Sequence, residues 1–399
     1  MIVRHFLQWV RTAEAAERAE ATSALARAYL YSDLSHDDRI AAEGAMIMLL
    51  DDPSPLVRRA LADALGSSRD APATVVHALV NDQPDIAVVV LERSPLLLES
   101  DLVDAVALGS PGVQAAIARR ALLPRSVSAA IAEVGCAEAC LTLIENAGAS
   151  LAAFSLDRIV ERHGHLAAVR ESLLAWPDLP AAIRQVLVLK LSETLAGFVV
   201  ARNWLNEGRA QRIVQEACEK ATVILAAESI SAEVSPLIGH LRASGQLTAG
   251  LVLRSLLSGN LDFFEQALAE LTGLPASRVS ALLHDRRGAG FKAVYDRAGL
   301  PDSVYPAFRA AIDVMHESGL QAEPGGNTRL KRRMVERVLT SCARMAAGDV
   351  EPLMTLLRRY ATEAAREEAR LFCDELVEMG DLSHIVPAND IGDEAAAAA

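Results

Sequence analysis

Asp51-Asp52-Pro53-Ser54-Pro55-Leu56-Val57-Arg58 reads as the start of a helix. Ser54 can accept hydrogen bonds from the free amides of a first turn. Pro55 fits that turn because its missing N–H would be unbonded there anyway. Leu56, Ala60, Leu61, Ala64 and Leu65 then follow one helical face. The signal recurs. Asn81-Asp82-Gln83-Pro84-Asp85-Ile86 aligns with it, and Leu108-Gly109-Ser110-Pro111-Gly112-Val113 and Val134-Gly135-Cys136-Ala137-Glu138-Ala139 follow in weaker form. Two short helices per roughly 26–30 residues predict a stacked helical-hairpin solenoid, nearest in kind to HEAT repeats.

Composition agrees. The chain has 399 residues, 51% of them apolar and only 4% aromatic, with alanine and leucine abundant and a net charge of −13. Few aromatic and β-branched residues disfavour an all-β fold, and abundant Ala and Leu favour helices. The apolar fraction excludes a disordered chain. The acidic balance disfavours a general nucleic-acid binder. Nearly all of the 39 basic residues are arginine. An Ala-rich, Arg-rich, Lys-poor composition is what a GC-rich genome produces, so a single arginine points to no site. His5, Gln8 and Arg11 interrupt the apolar start, and no uncharged window reaches the ~18 residues of a membrane span. The five cysteines, Cys136, Cys140, Cys218, Cys342 and Cys373, match no zinc spacing and read as reduced and mostly buried. A cytoplasmic protein is expected.

The second half changes character. Gly245-Gln246-Leu247-Thr248, Gly259-Asn260-Leu261-Asp262, Gly348-Asp349-Val350-Glu351 and Gly380-Asp381-Leu382-Ser383 each predict a glycine that closes one helix and a polar residue that opens the next. Ser235-Pro236, Pro180, Pro275 and Pro301 predict further helix starts. Longer segments, 181–203, 208–228, 301–319, 329–346 and 350–378, suggest a helical bundle. The expected organisation is an all-α chain: a HEAT-like repeat region over 1–180, a helical domain over 181–320, a terminal helical pair over 321–384 and a flexible tail over 385–399.

The Asp51–Arg58 stretch, Ser94-Pro95-Leu96-Leu97 with Asp101-Leu102-Val103-Asp104, and above all Leu261-Asp262-Phe263-Phe264-Glu265, Leu283-His284-Asp285 and Ala298-Gly299-Leu300-Pro301 carry a resemblance. Together they resemble an alphaproteobacterial family known only as a domain of unknown function, with HEAT-like repeats at its N-terminal end. The likeness spans about residues 10–320 and is specific over 259–310. It implies an all-helical cytosolic protein and no particular activity or catalytic residue.

Two clusters stand out. Leu283-His284-Asp285-Arg286-Arg287-Gly288-Ala289-Gly290-Phe291-Lys292 has a glycine-containing turn before a helix. Backbone amides with His284, Arg286, Arg287, Gly288, Gly290 and Lys292 could hold a phosphorylated ligand or nucleotide. The plainer reading is a capped turn with solvated arginines. Arg329, Lys331, Arg332, Arg333 and Arg337 form a basic helix face, with Leu330, Met334, Val338, Leu339 and Cys342 inward. Such a patch could meet an acidic partner, a lipid surface or DNA phosphates, against a plain solvated face. Apolar positions of 350–378, including Leu371 and Phe372, pack internally or form a homodimer seam. Arg162-His163-Gly164-His165 lacks a third metal ligand, and His316-Glu317 alone cannot build a di-metal site. No P-loop, Rossmann fingerprint, serine elbow or cofactor motif is present. The expected function is therefore a non-enzymatic scaffold or adaptor for a protein partner. The alternatives are a regulator that binds a phosphorylated ligand, or a DNA-binding repeat protein. No membrane or cofactor is implied.

Overall fold

The computed structural model describes residues 6, 8–10, 12–285, 289–318, 330–344 and 351–382. Among these residues there is no β-strand. One isolated bridge joins Leu123 and Ala149. The chain divides into two compact units, Met1–Leu179 and Pro180–Ala399.

The first unit contains α1 (Ala15–Tyr31), α2 (His36–Leu49), α3 (Pro55–Leu65), α4 (Ala73–Val80), α5 (Pro84–Arg93) and α6 (Glu99–Leu108). It continues with α7 (Pro111–Ala118), α8 (Arg125–Val134), α9 (Ala137–Glu145), α10 (Ala153–His163) and α11 (Ala167–Leu174). Packing skips one helix at a time. In one row α3 lies on α1, α5 on α3, α7 on α5, α9 on α7 and α11 on α9. In the other row α8 lies on α6 and α10 on α8. Helices of eight to eleven residues are too short to stand alone in water. Each is held by an apolar stripe pressed on its neighbours in the row.

Pro55, Pro84 and Pro111 occupy first-turn positions, as their sequence context predicts. Ser110 accepts from the Val113 amide at 3.5 Å, but Ser54 caps nothing with its side chain. Asp52 takes over instead, accepting the Ser54 amide at 2.8 Å. The inward stripe of α3 is Val57, Leu61, Ala62 and Leu65, while Leu56 stays exposed. The face is thus turned from the one expected from Leu56. Full burial of Leu61 and Leu65 is worth about 1.5–3 kcal/mol for each side chain.

Arginines tie successive members of a row together. Arg18 forks onto Asp52 at 2.8 and 2.9 Å, and Arg58 onto Asp82 at 2.7 and 3.0 Å. Arg58 also donates to the Asp52 carbonyl at 2.7 Å. Arg120 donates to the carbonyls of Leu91 and Ser94 at 2.5 and 2.7 Å. Arg162 donates to those of Ala132 and Gly135 at 2.7 and 2.8 Å. The two pairs of acceptors are equivalent. Each comprises the third-from-last residue and the C-cap of a helix, α5 in one case and α8 in the other. A helix end leaves these carbonyls without intrahelical partners. One guanidinium fork satisfies two of them.

The second unit begins with a long hairpin, α12 (Ala181–Ala201) packed on α13 (Glu207–Glu228). It continues through α14 (Ser231–Ala243), α15 (Ala249–Ser258), α16 (Leu261–Thr272), α17 (Ala276–Leu283), α18 (Ala289–Arg297), α19 (Tyr305–Ser318), α20 (Arg332–Ala343) and α21 (Glu351–Leu382). The few aromatic residues gather in this core. Phe264 stacks on Phe308, Phe291 on Tyr305, and Tyr295 meets Phe308 edge-on. The Tyr295 hydroxyl donates to the Pro301 carbonyl at 2.6 Å, which satisfies its polar tip. Residues of α20 and α21, among them Val335, Val338, Leu357 and Tyr360, belong to this same core.

Gly259 closes α15 at φ +78°, a conformation that other residues reach only with strain, and Asn260 caps α16 through the Phe263 amide at 3.2 Å. Two expected boundaries move. Pro236 lies inside α14 rather than at its start, because Val234, Leu237, Ile238 and Leu241 form one buried stripe on both sides of it. That stripe outweighs the single hydrogen bond that proline forfeits. Helix α21 runs through Gly380 to Leu382. It buries Leu353, Leu357, Tyr360 and Ala364, whereas Leu371, Phe372, Leu376 and Val377 are exposed.

Candidate interaction surface

The bridge region orders one edge of the first unit. Leu123 donates to the Gly148 carbonyl at 3.1 Å, and Ser150 donates to the Leu123 carbonyl at 3.0 Å. The two loops come so close that a Cβ on Gly148 would lie 1.9 Å from the Ala121 carbonyl oxygen, so only glycine fits. Ser126 donates to Glu99, and Arg125 donates to Ser150 at 3.3 Å. These bonds set the N-terminal ends of α6, α8 and α10 side by side. Each end carries one large apolar side chain in solvent: Leu98 is 65% exposed, Leu122 81% and Phe154 64%. Single exposed apolar residues are ordinary. Three at matching ends of neighbouring helices form a row.

The charged pairs of the row that begins with α1 and α3 are well satisfied. The Arg18 hydrogen bond holds the Asp52 carboxyl below the usual carboxylate range. The Ser54 amide and the charges of Arg18 and Arg58 add to it and together outweigh burial. At Asp82 burial is the largest single influence and pushes the group up, yet the Arg58 bond, the Gln83 amide and the Arg58 charge hold it down.

Of the expected anion-site residues, Arg286, Arg287 and Gly288 lie outside the described residues. His284 ends α17 on the surface, its Nδ1 2.8 Å from the Ser280 carbonyl. Gly290, in the first turn of α18, sits close to Leu282, where a Cβ would meet the carbonyl oxygen at 3.0 Å. Lys292 is turned to acids, 2.6 Å from Asp296 and 3.4 Å from Asp302, above the Tyr305 ring. In the basic cluster, Arg329 lies outside the described residues. Lys331 is half-buried as the N-cap of α20, its stem against Gly259. Arg332 pairs with Glu336 at 2.7 Å and Glu368 at 2.8 Å, Arg337 pairs with Glu317, and Arg333 is exposed. Leu330, Met334, Val338 and Cys342 are buried as the pattern predicts.

Arg162 and His163 close the C-terminus of α8, the His163 ring 3.4 Å from the Gly135 carbonyl, while His165 is exposed. Among the described residues no group of three or more His, Cys, Asp or Glu is placed to hold a metal ion, and no helix is long and apolar enough to cross a membrane. Of the cysteines, Cys140, Cys218 and Cys342 are buried, Cys136 is half-buried and Cys373 is exposed. Burial pushes the Cys140 thiol up to about 11, which makes it unreactive.

The row of Leu98, Leu122 and Phe154 escapes a sequence reading. Leu98 is the N-cap of α6, Leu122 lies two residues ahead of the α8 cap and Phe154 is in the first turn of α10, so no common sequence position marks them.

Over residues 86–348 the chain matches a family described as an uncharacterised protein conserved in bacteria, DUF2336. The chain belongs to that family. The matched stretch starts at Ile86 in α5 and takes in the Arg120 and Arg162 forks and the aromatic core. No curated protein and no solved structure matches the chain.

Proposed function

We propose that this protein is a HEAT-like helical-repeat scaffold or adaptor that binds a protein partner in the cytoplasm, with a regulatory rather than a catalytic role. The observation that carries the reading is the exposed row of Leu98, Leu122 and Phe154 at the ends of three stacked helices. The skip-one packing and the equivalent Arg120 and Arg162 forks support a repeat architecture, which presents an extended face built from equivalent positions. Large apolar anchors on such a face are the usual centre of a protein interface. The phosphorylated-ligand and DNA readings gain less support, because Lys292, Arg332 and Arg337 direct their charge to carboxylates of the same chain.

The test is crosslinking in cells followed by pull-down with the Leu98→Ser, Leu122→Ser, Phe154→Ser triple variant. These side chains are exposed, so the melting temperature should hold while a stoichiometric partner is lost. Undiminished recovery of that partner by the triple variant, or no partner with the parent chain, would refute the reading.

A further inference from the structure

The second unit contains a cleft of about 720 Å³, formed by the inner sides of α12 and α13 and closed by α14, the turn after it and the start of α15. Its wall is apolar, with Leu189, Ala196, Val200, Val214, Leu241 and Leu251. The volume is that of a small-molecule site. The charged contribution has a single sign. Glu193, Glu207 and Glu219 line the cleft, and no Lys, Arg or His does so among the described residues.

Glu219 is the distinctive group. It is 7% exposed, and among the described residues no cation lies within salt-bridge distance of it. Thr248 donates to its Oε1 at 2.9 Å and Gln215 to the same oxygen at 3.1 Å. Both donors are neutral and both use Oε1, which leaves Oε2 for another donor. Arg254, the nearby cation, is forked onto Glu363 at 2.8 and 2.9 Å. Gly250 backs the carboxylate; a Cβ there would lie 3.1 Å from Oε1 and 3.4 Å from Oε2. A buried carboxylate is costly unless it is paired, and this one faces a cavity that can admit its pair.

We propose that the cleft binds a cationic amphiphile, an ammonium or guanidinium head on an apolar body. The head donates to Glu219 Oε2. The body lies along Val214 and Val200 toward Glu207, about 18 Å away along α13 at the rise of a helix. Anionic amphiphiles are repelled by the three carboxylates, and a neutral one gains only the apolar contact.

The probes are n-octylammonium, 1-octanol and octanoate at matched concentrations below micelle formation, titrated into the full chain by calorimetry. Octylammonium should bind at least about tenfold more tightly than octanol, as a charge-assisted bond in a desolvated site would give, and octanoate should not bind. Glu219→Gln should bring octylammonium down to the octanol value. Gly197→Leu provides a second variant: a Cβ at Gly197 has nothing within 4 Å, so the side chain fills the cleft without a clash and should abolish binding of both octylammonium and octanol. Equal binding of octanoate and octylammonium, a preference that survives Glu219→Gln, or full affinity in Gly197→Leu would overturn the proposal. Tight binding of a basic amphipathic peptide in the absence of octylammonium binding would overturn it equally.

Discussion

Glu363→Leu removes both acceptors of the Arg254 fork, which stand 2.8 and 2.9 Å from the guanidinium. The Arg254 side chain is 3% exposed and stays charged, with the Tyr360 ring 4.6 Å away and no second carboxylate at bonding distance among the described residues. Stranding a buried charge in this way costs about 3–5 kcal/mol. Glu363 is 25% exposed, so water reaches its side of the pair, and the lower end, about 3 kcal/mol, applies. Arg254→Met with Glu363→Leu removes both charges and keeps apolar volume in the core. That double variant should fall within about 1 kcal/mol of the parent, because the cost lies in the stranded charge and not in the missing pair. Urea titration of the full chain followed by circular dichroism measures both. At a slope of roughly 2 kcal/mol per molar, the single variant should lose about 1.5 M in midpoint, with the slope unchanged. A single-variant loss below about 1 kcal/mol, or a double variant as unstable as the single, would refute the reasoning.

Arg120→Met should cost about 2–4 kcal/mol, since two helix-end carbonyls lose a charged donor; hydrogen exchange should rise at the end of α5, and unchanged protection there would count against the clamp. Acid should weaken the first unit through Asp52 and Asp82. Both carboxyls lie below their unfolded values, so their contribution is complete above about pH 4 and is lost as the pH falls through the folded values. Asp82→Asn should therefore flatten the decline in urea midpoint below about pH 4, and an equally steep decline would show that this pair is not the cause.

The helical class was legible because Pro55, Pro84 and Pro111 punctuate the sequence where three amides have no partner anyway. Gly259 was legible for a related reason, since positive φ singles out glycine. The orientation of α3 was not. Leu56 and Val57 are adjacent and both apolar, and only the neighbour in the row decides which of them turns inward. Pro236 misled because a local hydrogen-bond penalty was weighed without the burial that compensates for it. Glu219 was invisible because its setting joins Gln215, Thr248 and Gly250 from two helices and a turn. The basic clusters looked more promising in sequence than in space, because Glu317 and Glu368 approach Arg337 and Arg332 from other helices.

The forks of Arg120 and Arg162 end on backbone carbonyls, and a carbonyl is the same on every residue. The clamp therefore places no demand on the side chains of the helix it grips. Leu91 and Ser94 in one case and Ala132 and Gly135 in the other serve equally well. Substitutions at Leu91, Ser94 and Ala132 therefore leave the acceptors in place, whereas Gly135 is held for another reason, since a Cβ there would lie 2.4 Å from the Ile131 carbonyl oxygen. The joint is thus written in backbone, and the arginine is the one side chain it requires.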